Sequence, residues 1–241
     1  QRAMTELLPK FDALGEEGAE LKGKVEKNIP SMQYKAAVKA YKAKDLKGAI
    51  KGFENALALS TTYNNEDIPK QVNPQLPSVY YSYGRSLIKA KDKKGAMAAF
   101  DQSIAMNPEF AKAYYGKSML FRNEKFRDSM FVYVDKAITL AGDDAKSVAV
   151  FKKGTLKHLY SKASSYNKSK QYKKAVTVLE KAMTTYVDDN TKNIGKYHYQ
   201  MGKAFAGLNK TTDACAAYKK VKAGKYLEAA KYEVQHTLKC K

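Results

Sequence analysis

The chain has 241 residues, of which 44 are Lys or Arg and 24 are Asp or Glu, giving a formal net charge of +20. Its apolar content is enough for a continuous core, and no run of about 18 apolar residues exists to span a membrane. Two cysteines and three histidines exclude a metal-rich or disulfide-framework protein.

Residues 1–29 open the chain with a slightly acidic balance. Met4, Leu7, Leu8, Phe11 and Leu14 form one helical face. Gly15 and Gly18 interrupt it, and Leu21, Val25 and Ile29 begin a second helical stretch. Pro30 suits the first turn of the following helix. The segment 1–29 reads as an N-terminal helical cap, with a partner-binding helix as the alternative. The chain starts at Gln1 rather than Met, which favours an exported or periplasmic protein over a cytoplasmic one.

From residue 30 a single spacing recurs. In 77–110, Tyr80, Tyr83, Gly84 and Leu87 sit at i, i+3, i+4 and i+7, one face of a helix. Ala96, Phe100 and Ser103 mark a second helix, and the polar residues 91–94 mark the turn between them. Gly84 and Ala96 are small where backbones approach, Phe100 is large enough to fill the gap, and Pro108 ends the pair. The small opener of the second helix recurs as Ala49, Ala96, Met130, Ala175 and Ala214. Phe53, Phe100, Val134, Leu179 and Tyr218 follow four residues later, and Ala56, Ser103, Ala137, Ala182 and Val221 three after that. The small site of the first helix is Ala37, Gly84, Ser118, Ala163 and Gly202.

This register resembles the tetratricopeptide repeat (TPR), an antiparallel helix pair of about 34 residues. The resemblance implies an all-α, right-handed solenoid of stacked helix pairs with helical caps. Five repeats are expected, at 30–63, 77–110, 111–144, 156–189 and 195–228. The pattern is degenerate at 30–63, where Gln33 and Ala36 replace bulky residues, and at 111–144, where Met130 replaces alanine.

Between the first two repeats, residues 64–76 contain Pro69 and Pro74 among Asn and Asp residues and read as a long loop, either functional or a tolerated insertion. Asp143 and Asp144 are candidate helix caps. Val148, Phe151, Leu156 and Leu159 extend the first helix of repeat four backwards through 145–155. A last helix at about 225–238 carries Tyr226, Ala230, Val234 and Leu238 on one narrow line. It forms the C-terminal cap with the tail, 229–241 lying beyond the repeats.

Tyr34, Tyr81, Tyr115, Tyr160 and Tyr199 hold one position in all five repeats. The family resemblance places that position on the concave groove. Arg85, Met119, Arg122, Asn167 and Lys203 would lie nearby, and Lys112, Lys157 and Lys196 each precede a tyrosine by three residues. Such a groove suits an extended peptide with aromatic, apolar or acidic groups; the other reading is that the rings simply pack. Val38, Ser82 and Gly116 stand where some family members carry carboxylate-clamping asparagines, so a chaperone-tail clamp is not expected.

Gly116-Lys117-Ser118 lacks the preceding glycine and strand of a phosphate loop. His158, His198 and His236 have no ligand spacing, so neither metal nor cofactor is expected. No catalytic constellation is visible, so an enzyme is not expected. Cys215 and Cys240 would be bonded in an exported protein and would be two thiols in the cytosol.

The leading reading is a non-enzymatic scaffold for a protein or extended peptide. One alternative is a polyanion-binding module: nucleic acid would be attracted weakly and with strong salt dependence, because lysine supplies forty of the basic residues and arginine four. Another is an architectural subunit of an envelope complex.

Overall fold

The structure, a computed structural model, describes residues 10–11, 13–122, 127–187 and 194–240. Among these residues every regular element is a helix. The chain divides into two compact units, 1–140 and 141–241. The expected amphipathic face at Met4, Leu7 and Leu8 lies outside the described residues.

In the first unit, α1 (Gly15–Lys42) packs against α2 (Leu46–Thr62). A short α3 (Asp67–Val72) crosses to α4 (Leu76–Lys89), which pairs with α5 (Lys93–Met106). Helix α6 (Ala111–Leu120) stacks on both α4 and α5, and α7 (Arg127–Ala141) follows. In the second unit, α8 (Ala145–Lys168) pairs with α9 (Tyr172–Thr185), and α10 (Gly195–Gly207) with α11 (Thr211–Lys219). Helix α12 (Leu227–Tyr232) runs into a π-helical turn at Glu233–Thr237.

Four of the short connections between paired helices are built the same way. Lys44, Lys91, Lys170 and Asn209 adopt φ of 64°, 63°, 56° and 58°. The next residue returns its N–H five residues back: Asp45 to Ala40, Asp92 to Leu87, Gln171 to Tyr166 and Lys210 to Phe205. The left-handed residue itself bonds three residues back in all four turns. This is the Schellman arrangement, which satisfies the orphan carbonyls of the first helix. Asp45 and Asp92 then cap the second helix, their Oδ1 accepting from the N–H of Gly48 (2.9 Å) and Gly95 (2.8 Å). Asp144 caps α8 through the Ser147 N–H (3.1 Å).

Small residues are set opposite large ones. A Cβ on Gly84 would lie 2.6 Å from the Phe100 ring, and one on Gly116 2.5 Å from the same ring. Phe100 therefore wedges between α4 and α6, fully buried. In the second unit Gly202 leaves room for Tyr218 in the same way, at 2.6 Å. Ser103, also buried, donates its hydroxyl to the Pro77 carbonyl (2.7 Å) and ties α5 to the start of α4.

Three expectations are corrected by the structure. Pro30 does not open a helix: it is buried inside α1, which runs unbroken through the expected boundary between cap and first repeat. Proline removes one intrahelical bond, and burial of its ring against the unit offsets that loss. Residues 64–76 are not a plain loop. Ile68, Val72 and Leu76, spaced by four, are fully buried in the first core, so their apolar stripe carries α3 into it. The last helix is not uniform either. The Leu238 N–H reaches Glu233 and the Cys240 N–H reaches Val234, so the final turn widens before it meets Cys215.

Candidate functional site

The five recurrent tyrosines all lie on first helices, and three of them pack against an aromatic ring of their own helix pair. Tyr34 tilts against Phe53 with ring centroids 5.8 Å apart, Tyr81 against Phe100 at 6.0 Å, and Tyr199 against Tyr218 at 5.6 Å. Such offset aromatic pairs add to the burial of the rings themselves. Tyr34, Tyr81, Tyr160 and Tyr199 keep part of their surface open, whereas Tyr115 is 8% exposed and belongs to the core.

In the first unit the open edges are polar or cationic. The Tyr34 hydroxyl accepts from Gln75 Nε2 (2.8 Å). Arg85 is exposed, with its guanidinium carbon 5.8 Å from the Tyr81 ring centre. Burial raises the Tyr81 phenol above its usual pKa, and the Arg85 charge pulls against that shift. Phe110 closes the other side of Tyr81 edge-on at 6.0 Å. Arg122 reaches the Tyr115 hydroxyl through Nη2 at 3.3 Å. Lys117 bonds Asp101 (2.6 Å) and lies 4.7 Å from the Tyr133 ring centre. Burial lowers its pKa, but the bonds to Asp101 and Tyr133 outweigh burial and the net shift is upward.

The second unit gathers its tyrosines into one cluster. Tyr160 meets Tyr197 edge-on at 5.6 Å, and its hydroxyl is 2.6 Å from that of Tyr226. Tyr226 stacks on Tyr199, with centroids 4.7 Å apart and planes 19° from parallel. A cavity of about 450 Å³ opens beside them, lined by Tyr160, Lys196, Ala223, Gly224, Lys225 and Tyr226. Burial, then the bond to Tyr226, pushes Tyr160 up to about 12. Tyr226 moves down, first because Tyr160 hydrogen-bonds it and then because Lys225 and Lys196 are near.

Asn167 and Lys203 occupy different surroundings. Lys203 is exposed. Asn167 is buried and donates Nδ2 to the Gln200 carbonyl and to Gln200 Oε1, both at 2.9 Å, so it pins α8 to α10. Its Oδ1 is buried without a partner among the described residues. His198 is half-buried, and burial followed by the Lys220 charge holds its pKa down.

Tyr226 is the residue that repeat register misses. It lies beyond the last repeat's packed helices, and its sequence neighbours suggest only the apolar line of a capping helix. The signal for it is Gly224, whose φ of 84° lets 223–226 turn back over α8 and α10. Cys215 and Cys240 are joined in a disulfide with Cα atoms 5.8 Å apart. Among the described residues no cluster of His, Cys, Asp or Glu is suited to a metal ion, and no helix is long and apolar enough to cross a membrane.

Models of the tetratricopeptide repeat match residues 77–110 and 158–185, and a second such model matches 197–223. No curated protein sequence matches the chain. Among solved structures it is similar to the crystal structure of MamA protein, at 15% identity over 87% of this chain and 96% of that one, with a TM-score of 0.44. A Podospora anserina putative kinesin light chain with nearly identical TPR-like repeats aligns at 11% identity, over 88% and 98% of the two chains, with a TM-score of 0.38. A thermophilic TPR protein in Thermus thermophilus aligns at 17% identity, over 83% and 94%, with a TM-score of 0.27. The matched segments, with the recurring Schellman turn, identify the helix pairs α4–α5, α8–α9 and α10–α11 as tetratricopeptide repeats.

Proposed function

We propose that the chain is a non-enzymatic scaffold that holds a protein or extended peptide against the tyrosine-bearing faces of its first helices. Stacked helix pairs of this family are in general interaction scaffolds rather than catalysts. The supporting observation is the recurrence of one tyrosine in every repeat, four of the five with an open edge. Tyrosine offers a large rigid contact area and a hydroxyl at low entropic cost. Tyr81, Tyr160 and Tyr199 are the proposed anchors, with Tyr34 at the edge and Tyr115 supporting from the core. Arg85, Arg122 and Lys203 supply positive charge, and Asn167 sets the spacing of α8 and α10. These charges suit an acidic or aromatic-containing partner.

Because alanine at Tyr115 would empty the core, the test is Tyr81→Ala combined with Arg85→Ala. The variant is compared with the native chain in capture from source-cell lysate, at low and high salt and with nuclease. A protein retained at high salt by the native chain and lost by the variant supports the scaffold. Capture only at low salt, abolished by nuclease and indifferent to the variant, sinks it and favours the second reading. That reading is a polyanion-binding module, and it rests on the net charge of +20; counterion release would make its binding fall steeply with salt.

A further inference from the structure

We propose that the cavity between Tyr160, Lys196, Lys225 and Tyr226 is a carboxylate pocket that takes an acidic side chain of a bound peptide. This rests on the scaffold reading and names the chemistry one part of it recognises. Both lysines line this cavity. Lys196 Nζ lies 5.1 Å from the ring centres of Tyr160 and of Tyr197, and Lys225 Nζ lies 4.9 Å from that of Tyr226. Among the described residues no acidic side chain lines the cavity and neither lysine forms an ion pair. Two ammonium groups beside aromatic walls, with no counter-charge among the described residues, leave a site whose complement is an anion.

The hydroxyls complete the site. The Tyr160 and Tyr226 hydroxyls lie 2.6 Å apart and share one hydrogen bond in which either can donate. Whichever donates, the other keeps its own O–H, and both residues line the cavity, so one phenolic O–H is left to donate there. Two ammonium groups and one hydroxyl suit a planar carboxylate, and the cavity of about 450 Å³ is large enough for a glutamate side chain with part of its backbone.

The test uses the full chain with labelled tyrosine rings, observed by NMR at physiological salt. The probe is a blocked peptide of four glutamates, with its four-glutamine counterpart, sodium acetate and inorganic phosphate as separate arms. Saturable shifts at Tyr160 and Tyr226 are expected with the glutamate peptide, binding about tenfold tighter than the glutamine peptide. Lys196→Gln with Lys225→Gln, checked for an unchanged helical signal, is expected to cost about tenfold or more. Tyr160→Phe with Tyr226→Phe keeps both rings, removes both hydroxyls and is expected to weaken the peptide severalfold. Equal binding of both peptides, or a double lysine variant that binds like the native chain, overturns the pocket. So does saturation by acetate or phosphate at the peptide's own concentration. If Tyr81 shifts while Tyr160 and Tyr226 do not, the pocket fails and the scaffold reading stands; if no tyrosine moves with the peptide while lysate capture still depends on Tyr81 and Arg85, the outcome is the same.

Discussion

The same tyrosine position is used differently in the two units. In the first, Tyr34 and Tyr81 lean on Phe53 and Phe100 and turn their remaining edges to Gln75 and Arg85. In the second, Tyr160 and Tyr199 are bridged by Tyr226, which the chain's own C-terminal segment delivers. The repeat register fixes where a tyrosine sits, and in the second unit the segment after α11 covers part of its outer edge. Under the proposed function the uncovered edges are what a partner's ring would meet, and the bridged pair adds the lysine-flanked cavity beside it.

The sharpest way to break the first unit is to remove its wedge. Phe100 is fully buried and touches the sites of Gly84 and Gly116, so Phe100→Ala leaves a cavity shared by α4, α5 and α6. The expected loss is about 3–5 kcal/mol. Chemical denaturation followed by hydrogen exchange should show the loss in residues 15–120, with the 145–240 amides far less affected. Equal loss of protection in both units would mean that they unfold together.

The second unit has a covalent tie that the first lacks. The Cys215–Cys240 bond closes a loop with a sequence separation of 25, which restricts the unfolded chain by about 3 kcal/mol. Cys215→Ser with Cys240→Ser should lower the stability of the second unit by roughly that amount and loosen 223–240. Intact mass of the unreduced protein after alkylation checks the bond directly: no alkylation is expected. Two alkylated thiols would leave the C-terminal segment held by packing alone and would count against export, since such bonds persist in oxidising compartments.

How much of this was legible depends on where the physics is local. The helix pairs, the Phe100 wedge and the Asp144 cap are written at fixed offsets in the sequence, because a helical face and a capping residue need only their neighbours. Pro30 was misleading because helix propensity argues for a boundary there, and burial within the first unit overrides it. Residues 64–76 look like a loop by their proline and asparagine content, but three apolar residues four apart, Ile68, Val72 and Leu76, decide their fold. The second cluster was out of reach because the Tyr160–Tyr226 contact spans 66 residues. No periodicity connects those two positions; only the return of the chain after Gly224 does.

Alkali should separate the units by their phenols. Burial raises Tyr160 and Tyr197 to about 12 and also raises Tyr199 and Tyr218, all in the second unit. In the first unit Tyr80, buried and bonded to Glu54, and Tyr81 are raised. An unfolded phenol ionises near 10, so a raised folded pKa stabilises the protein fully below pH 10. That contribution disappears as pH climbs from about 10 to about 12, where the folded phenols must ionise too. Tyr226 has the opposite sign and offsets part of the loss. The second unit should therefore lose its tertiary signal at lower pH. Tyrosinate absorbance and near-ultraviolet ellipticity, recorded with Tyr80→Phe and Tyr197→Phe variants, assign each step to its unit.

The smallest expected effect lies in the turns. Lys44, Lys91 and Lys170 hold a left-handed backbone that costs a residue with a Cβ roughly 1 kcal/mol, while the second unit's last turn uses Asn209, which tolerates it better. Lys91→Asn should stabilise the first unit by about 0.5 kcal/mol, and Asn209→Lys should destabilise the second by a similar amount. Lys170→Asn places the favourable residue in the second unit's other turn and should match Lys91→Asn, since the two turns share the same bonds back to the preceding helix. Denaturant midpoints with unchanged slopes would read these differences. If Lys91→Asn gains stability and Lys170→Asn does not, the four turns are not energetically equivalent, and the constraint imposed by each helix pair, rather than the local backbone, sets the cost.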